Sequence, residues 1–119
     1  MKYQEHEEQA ALIQWWDMFS LSRQIDPEFL FAIPNGNKRS YAVANIMKSE
    51  GMRAGVPDLF LAFPRDGFSG LFIEMKRQDG GTLSDNQKNF LNRFGAVGYK
   101  CAVCHGFDAA RNTIMEYLA

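Results

Sequence analysis

The chain has 119 residues, 46% of them hydrophobic and 10 of them Phe, so it can enclose one core and we expect a single domain over residues 1–119. Its formal net charge of −1 excludes a strongly basic nucleic-acid coat, although acidic ligands could offset basic DNA contacts. No apolar run is long enough to cross a bilayer and the N-terminal residues are polar, so we expect a cytoplasmic protein without a secretion signal or a membrane partner.

The first half of the chain alternates helix and strand signals. Residues 5–20 predict an amphipathic helix, because aromatic and aliphatic side chains recur at helical spacing. After a turn signal, residues 29–33 predict a short strand. Residues 40–50 predict a second helix, with Ser40 as its N-cap and Gly51 as its C-cap.

The second half predicts three strands and two helices. Residues 59–63 and 71–75 are apolar runs joined by a turn-rich segment, which is typical of two neighbouring strands. Residues 84–96 predict a helix with Ser84 as its N-cap, 99–104 a last strand and 107–118 a closing helix. The order αβαββαβα predicts an α/β fold, a small mixed sheet flanked by helices.

Two of these apolar runs each carry one acidic residue. Asp58 begins the first run, and Glu74 shares a strand face with Lys76 because strand side chains alternate. If the strands pair, the two acids converge beside the lysine, and two carboxylates are a ligand set for Mg²⁺ or Mn²⁺. Either motif alone also fits a turn residue or a solvated ion pair. Together they favour a metal, since an unpaired charge in an apolar run is costly to bury.

The sequence around these residues resembles that of a known family. P-D followed by E-x-K is the signature of the PD-(D/E)XK nuclease superfamily. Further motifs precede and follow it in order, namely EHEEQ at 5–9, FAIPNG at 31–36, EGMRAGVPD at 50–58 and LSDNQ at 83–87. Over nearly the whole chain, the set resembles the stand-alone virus-type replication-repair nuclease (VRR-NUC) domain of phages and prophages. The resemblance implies the restriction-endonuclease-like fold, which agrees with the predicted order, and a location in the host cytoplasm if the chain is phage-encoded.

The resemblance also implies residue roles. Asp58 and Glu74 are the expected ligands of Mg²⁺ or Mn²⁺, and the backbone carbonyl of Met75 supplies a further oxygen. Lys76 is expected to position the attacking water or to stabilise charge in the transition state. Gln87, in the first turn of a helix, is expected to hydrogen-bond Lys76 or the attacking water; it is otherwise an ordinary polar residue of that turn.

A third acid is expected from the first helix. The family pattern is an acid followed four positions later by glutamine, which Glu5 and Gln9 match. We therefore expect Glu5 to contribute to the metal site. Glu8 remains an alternative, and both acids could simply favour a helix N-terminus.

Five residues are candidate DNA contacts. Asn35, Lys38 and Arg39 belong to a glycine-flanked loop with two cations, which could bind a phosphate backbone or be a solvated turn. Arg53 and Arg77 lie close in sequence to the two acids.

The segment Cys101–His105 matches the C-x-x-C-H haem attachment pattern. However, it reads as a strand, and cysteines three residues apart on a strand point to opposite faces. We therefore expect two reduced cysteines and no haem or shared metal.

The expected function is a metal-dependent, structure-selective DNA endonuclease. Its sharper form is a homodimer that resolves four-way (Holliday) junctions, since a two-fold axis would pair two active sites on branched DNA. Residues 41–52 and 65–69 are the candidate dimer contacts. The alternatives are a flap-directed or nicking nuclease, and a non-catalytic DNA-binding adaptor that retains the fold.

Overall fold

The computed structural model describes residues 2–34 and 40–119. Four helices and four strands follow in the predicted order, with a 3₁₀ turn at Pro27–Phe29 before the first strand. The elements are α1 (Lys2–Ser22), β1 (Leu30–Ala32), α2 (Tyr41–Ser49), β2 (Leu59–Leu61), β3 (Leu71–Lys76), α3 (Asp85–Ala96), β4 (Lys100–His105) and α4 (Phe107–Leu118). The expected fold class is confirmed. In the described part of the chain, no helix has the length and apolarity needed to span a bilayer.

The strands form one mixed sheet in the order β1-β2-β3-β4. β1, β2 and β3 pair antiparallel, whereas β3 and β4 pair parallel with α3 as the crossover. In the register of the central pair, Leu59 lies opposite Ile73 and Leu61 opposite Leu71. β2 begins at Leu59, opposite Ile73, so the last three residues of β3, which include Glu74 and Lys76, extend beyond β2.

The two faces of the sheet are covered by different helices. One face packs against α1 and α4 and holds the buried core, formed by Leu12, Trp16, Leu59, Leu61, Leu71, Ile73, Met75, Ile114 and Leu118. On the other face, Phe72 makes edge contacts with Phe90 and Phe94 of α3, with ring centroids 5.1 and 5.4 Å apart. Because side chains alternate along β3, Glu74 and Lys76 project from this second face, on the same side as α3.

Two of the described helices begin at the serines expected from the sequence. Ser40 accepts a hydrogen bond from the Val43 N–H at 3.2 Å, and Ser84 forms a reciprocal capping box with Gln87. α2 ends with Glu50 at the C-cap position. Gly51 follows with φ +108°, one residue later than expected for the cap itself.

Both cysteines on β4 are free thiols. Cys104 is buried and Cys101 half-buried, and burial raises the pKa of both thiols above the ordinary value.

Gly55 fastens the loop before β2 to the start of α3. Its φ is +82°, and a Cβ atom there would lie 2.4 Å from the backbone carbon and oxygen of Asn86. A side chain at this position therefore conflicts with both the local backbone and a neighbouring main chain. The contact fixes the segment leading into Asp58 against the first turn of α3, which carries Gln87.

We expect Gly55→Ala to lower the free energy of unfolding by about 2–4 kcal/mol, because backbone strain and overpacking add. Gly51→Ala is the matched control, since Gly51 also has positive φ but a Cβ atom added there would have no neighbour within 4 Å. It should cost only about 1 kcal/mol. Urea denaturation measures both, and equal losses would show that the contact with α3 is unimportant.

Candidate active site

Asp58 is held at the junction of three strands. Its carbonyl accepts a hydrogen bond from the Ile33 N–H at 2.8 Å, which continues the β1–β2 pairing by one residue. Its Oδ2 atom accepts a hydrogen bond from the Met75 N–H at 2.7 Å. The carboxylate thus accepts the Met75 N–H in place of a backbone carbonyl, which β2 does not provide at this position. Since the N–H and C=O of a strand residue point to the same side, the Met75 carbonyl also faces the space beyond β2.

Glu74 lies beside Asp58 on the central strand. Extending the β2–β3 register by one residue places the two acids opposite each other, at the separation typical of a cross-strand pair. Only 5% of the surface of Glu74 is exposed. The two predicted acids therefore converge, as expected.

Lys76 and Gln87 form a small hydrogen-bonded network around Glu74. The Lys76 Nζ atom lies 3.4 Å from Glu74 Oε2 and donates to Gln87 Oε1 at 3.3 Å. The Gln87 Nε2 atom donates to Glu74 Oε2 at 3.0 Å. Gln87 Oε1 also accepts from the Ser84 N–H at 2.9 Å, so the capping box of α3 orients the amide. Gln87 therefore contacts both Glu74 and Lys76, the latter as the sequence predicts.

The two acids are electrostatically frustrated. Burial, followed by repulsion from Asp58, raises the pKa of Glu74 from 4.5 to about 7. Burial also raises the pKa of Asp58, although the Met75 N–H and Lys76 act in the opposite direction. Lys76 does not offset the cost of burying Glu74 beside Asp58, so below about pH 7 the metal-free pair retains a shared proton.

This donor set fits a divalent cation. Its side-chain donors are carboxylate oxygens, which suit Mg²⁺ and Mn²⁺ rather than softer metals. The Met75 carbonyl faces the same space, and a cation there would replace the shared proton. Asp58 and Glu74 are the residues that would hold it.

The acids lie at the floor of a cleft with a cavity volume of about 520 Å³. Its walls come from α2 with the loop that follows it, from the start of α3 and from α1. Glu5 of α1 lies in this lining, and its negative charge adds to the upward shift of the Asp58 pKa. Within residues 2–34 and 40–119, no three His, Cys, Asp or Glu side chains are close enough to hold a metal together. Glu5 therefore faces the acid pair without completing a three-carboxylate cluster.

Glu8 has a different position from Glu5. Its Oε1 atom accepts a hydrogen bond from the Phe107 N–H at 2.8 Å. The N-cap residue of α4 is Gly106, which has no side chain to cap the helix, so Glu8 of α1 caps α4 instead. This role could not be inferred from spacing, because 99 positions separate donor and acceptor.

Only some of the candidate DNA contacts line the cleft. Arg53 lines the cleft, and so does Lys48 of α2, a residue that no sequence motif assigned to the site. Ala44 and Lys48 are four residues apart and share the helix face that lines the cleft, a spacing visible in the sequence. Arg77 follows β3 outside this lining, and its carbonyl lies 2.9 Å from the His105 ring. The predicted contacts Asn35, Lys38 and Arg39 lie outside the described residues.

The raised pKa of Glu74 has a consequence for stability. In the unfolded chain this carboxyl loses its proton near pH 4.5, and in the metal-free folded protein near pH 7. Between these values the folded state binds more protons, so this contribution to stability is complete below about pH 4.5 and is lost as pH rises to about 7. Metal-free protein should therefore lose stability over this range, and Glu74→Gln should lose much less. Thermal unfolding in EDTA at several pH values measures the difference.

Glu116→Gln is the control, because it removes the same charge from an exposed position on α4. It should follow the unsubstituted protein across the range. A Glu74→Gln profile parallel to that of the unsubstituted protein would contradict the shared-proton description.

Comparisons with known proteins agree with this geometry. The family model of the VRR-NUC domain matches residues 2–108. A solved structure titled "VRR_NUC domain protein" is similar in fold, with a TM-score of 0.81 and 24% sequence identity, covering 97% of this chain and 88% of that chain. A search of curated proteins found no match. With the family model covering most of its length, the chain belongs to the VRR-NUC domain family, nucleases of the PD-(D/E)XK type.

Proposed function

We propose that this protein is a Mg²⁺- or Mn²⁺-dependent, structure-selective DNA endonuclease, with residues 1–119 acting as a single nuclease domain. The observation that carries the proposal is the pair of adjacent carboxylates at the floor of an open cleft beside a lysine, with Glu74 buried and Asp58 half-buried. An adaptor without catalytic activity has no need for this arrangement, because two buried like charges destabilise a fold unless something binds between them.

Each residue of the network has a distinct task. When bound, Mg²⁺ or Mn²⁺ supplies Lewis-acid polarisation of the scissile phosphate and lowers the pKa of the attacking water. Asp58 and Glu74 orient their oxygens toward the same space because the Met75 N–H and Gln87 fix them. Lys76 places a positive charge at the cleft floor, where negative charge develops on the phosphate in the transition state. Gln87 positions Lys76, and the ammonium group of Lys76 keeps one N–H that is used by neither Gln87 nor Glu74 and can reach the substrate.

The direct test is cleavage of DNA of defined structure. A four-way junction, a flap, a nicked duplex and a linear duplex are incubated with Mg²⁺, Mn²⁺ or EDTA. We expect cutting only with a divalent cation, preference for the junction, and no cutting by Asp58→Ala or Glu74→Ala at unchanged circular dichroism. A preference for flaps or nicks would support the alternative nuclease, and binding without cutting would support the adaptor.

Lys76→Ala should keep metal affinity but lower the single-turnover cleavage rate by about 10²–10³, the usual effect of removing one transition-state donor. Gln87→Ala should lower the rate less, because Lys76 retains its charge and loses only its hydrogen bond to Gln87. Calorimetry with Mn²⁺ and single-turnover kinetics separate the two effects. Lost metal affinity with a normal rate at saturating metal would mean that Lys76 only holds the carboxylates.

Glu5 and Glu8 should separate activity from stability. Glu5→Gln should reduce cleavage strongly and leave the unfolding free energy nearly unchanged, because Glu5 faces the acid pair. Glu8→Ala should lower stability by about 1 kcal/mol through loss of the α4 cap, with a smaller effect on cleavage. The reverse pattern would show that Glu8 is the third acid.

The proposal includes a homodimer that resolves four-way junctions. α2 supports this, because Val43 and Ile46 are three residues apart, share a helix face, and are 42% and 56% accessible. The helix belongs to one of the two segments expected at the interface. A second copy covering this face would bury apolar surface that small monomers rarely expose.

Light scattering should detect a dimer at micromolar concentration, and Ile46→Glu should convert it to a monomer. Val97→Glu is the control, since Val97 is similarly exposed at the end of α3. A wild-type protein that remains monomeric with and without junction DNA would remove the paired-cut mechanism, leaving a nuclease that acts alone.

A further inference from the structure

Two cations on one wall of the cleft are not used by the network at its floor. Lys48, in the last turn of α2, and Arg53, in the following loop, both line the cavity that contains the acid pair. Both are exposed residues, and neither side chain forms an ion pair or a hydrogen bond with any residue in the described ranges. Lys76, by contrast, already contacts Glu74 and Gln87.

The chain between the two cations forms a closed turn. The Gly51 N–H donates to the Lys48 carbonyl at 3.1 Å, and the Met52 N–H donates to the Met47 carbonyl at 3.0 Å. These bonds fix the backbone that carries Lys48 relative to the backbone that leads into Arg53. The close approach of Gly55 to Asn86 then fastens the same segment against α3. The wall is therefore connected by short contacts to the helix that orients Gln87.

The negative charge of the cleft makes cations on its wall necessary for DNA binding. Glu5, Asp58 and Glu74 line the cavity, and their charges repel a phosphodiester backbone. A strand that places its scissile phosphate at the floor carries further phosphates on either side, which remain at the cleft rim. Exposed cations whose side chains have no partner among the described residues are suited to bind them, since phosphate contacts supply most of the sequence-independent affinity for DNA.

We propose that Lys48 and Arg53 form a phosphate-binding arm that holds two backbone phosphates on one side of the scissile phosphate. This inference rests on the proposed nuclease function and adds the residues that bind the substrate backbone next to the cut. The ligand is the sugar-phosphate backbone of one strand, independent of base sequence. Lys48 has a competing structural explanation, because a cation in the last turn of a helix also interacts favourably with the helix dipole.

Salt dependence of binding distinguishes these explanations. The full chain carrying Glu74→Gln is titrated in EDTA against a labelled four-way junction at several KCl concentrations, so that DNA is not cut. Lys48→Ala and Arg53→Ala should each reduce the slope of log K against log salt by about 1, and the double substitution by about 2. Lys100→Ala is the charge-matched control, because Lys100 begins β4 at the opposite end of the β3–β4 ladder from Lys76; its slope should not change.

Neutral methylphosphonate linkages, placed one at a time in the cut strand, identify the phosphates involved. Two positions on the same side of the cut should weaken binding, and one of these penalties should disappear in Lys48→Ala. Unchanged slopes in Lys48→Ala and Arg53→Ala, or penalties that persist in both variants, would overturn the arm. Cleavage by the unsubstituted protein is scored separately. Normal cleavage with unchanged slopes would reject only the phosphate-binding arm. Absence of cleavage would reject the proposed nuclease function.

Discussion

Two carboxylates, the buried Glu74 and the half-buried Asp58, lie side by side at the end of the central strand pair, and much of the structure around them fixes their position. Burial and mutual repulsion raise the pKa of Glu74 to about 7, and burial raises that of Asp58 as well. Such a pair is unfavourable in a metal-free protein unless it shares a proton. The same features fit a divalent cation, because one hard ion would relieve the repulsion and use the oxygens that the fold has already oriented.

Each acid is oriented by an element that also serves the fold. Asp58 occupies the place where β2 would continue, and it takes the Met75 N–H that a longer β2 would have paired. Glu74 is held through Gln87, whose amide is itself part of the capping box that starts α3. Gly55 joins these two halves by direct backbone contact. The active-site geometry therefore depends on the residues at which β2 and α3 begin.

The sequence predicts the parts of this site that follow from local patterns. The alternation of strand side chains places Glu74 and Lys76 on one face, and Ser84 is predicted as the N-cap of α3; the reciprocal bond from Gln87 is seen only in the structure. Other parts depend on contacts between distant segments. The difference between Glu5 and Glu8 follows from the position of α4, which needs a cap because it begins at glycine. Lys48 requires the rotation of α2 relative to the cleft, which the helical pattern alone does not give.

The central claim is that Asp58 and Glu74 exchange a shared proton for a divalent cation. Calorimetric titration with Mn²⁺ at about pH 6, repeated in buffers of different ionisation enthalpy, measures both the affinity and the protons released. We expect release of about one proton per bound ion in the unsubstituted protein. In Glu74→Gln we expect weaker binding without that release. Equal affinity in both proteins, or binding of Mn²⁺ with no proton release from the unsubstituted protein, would contradict the claim.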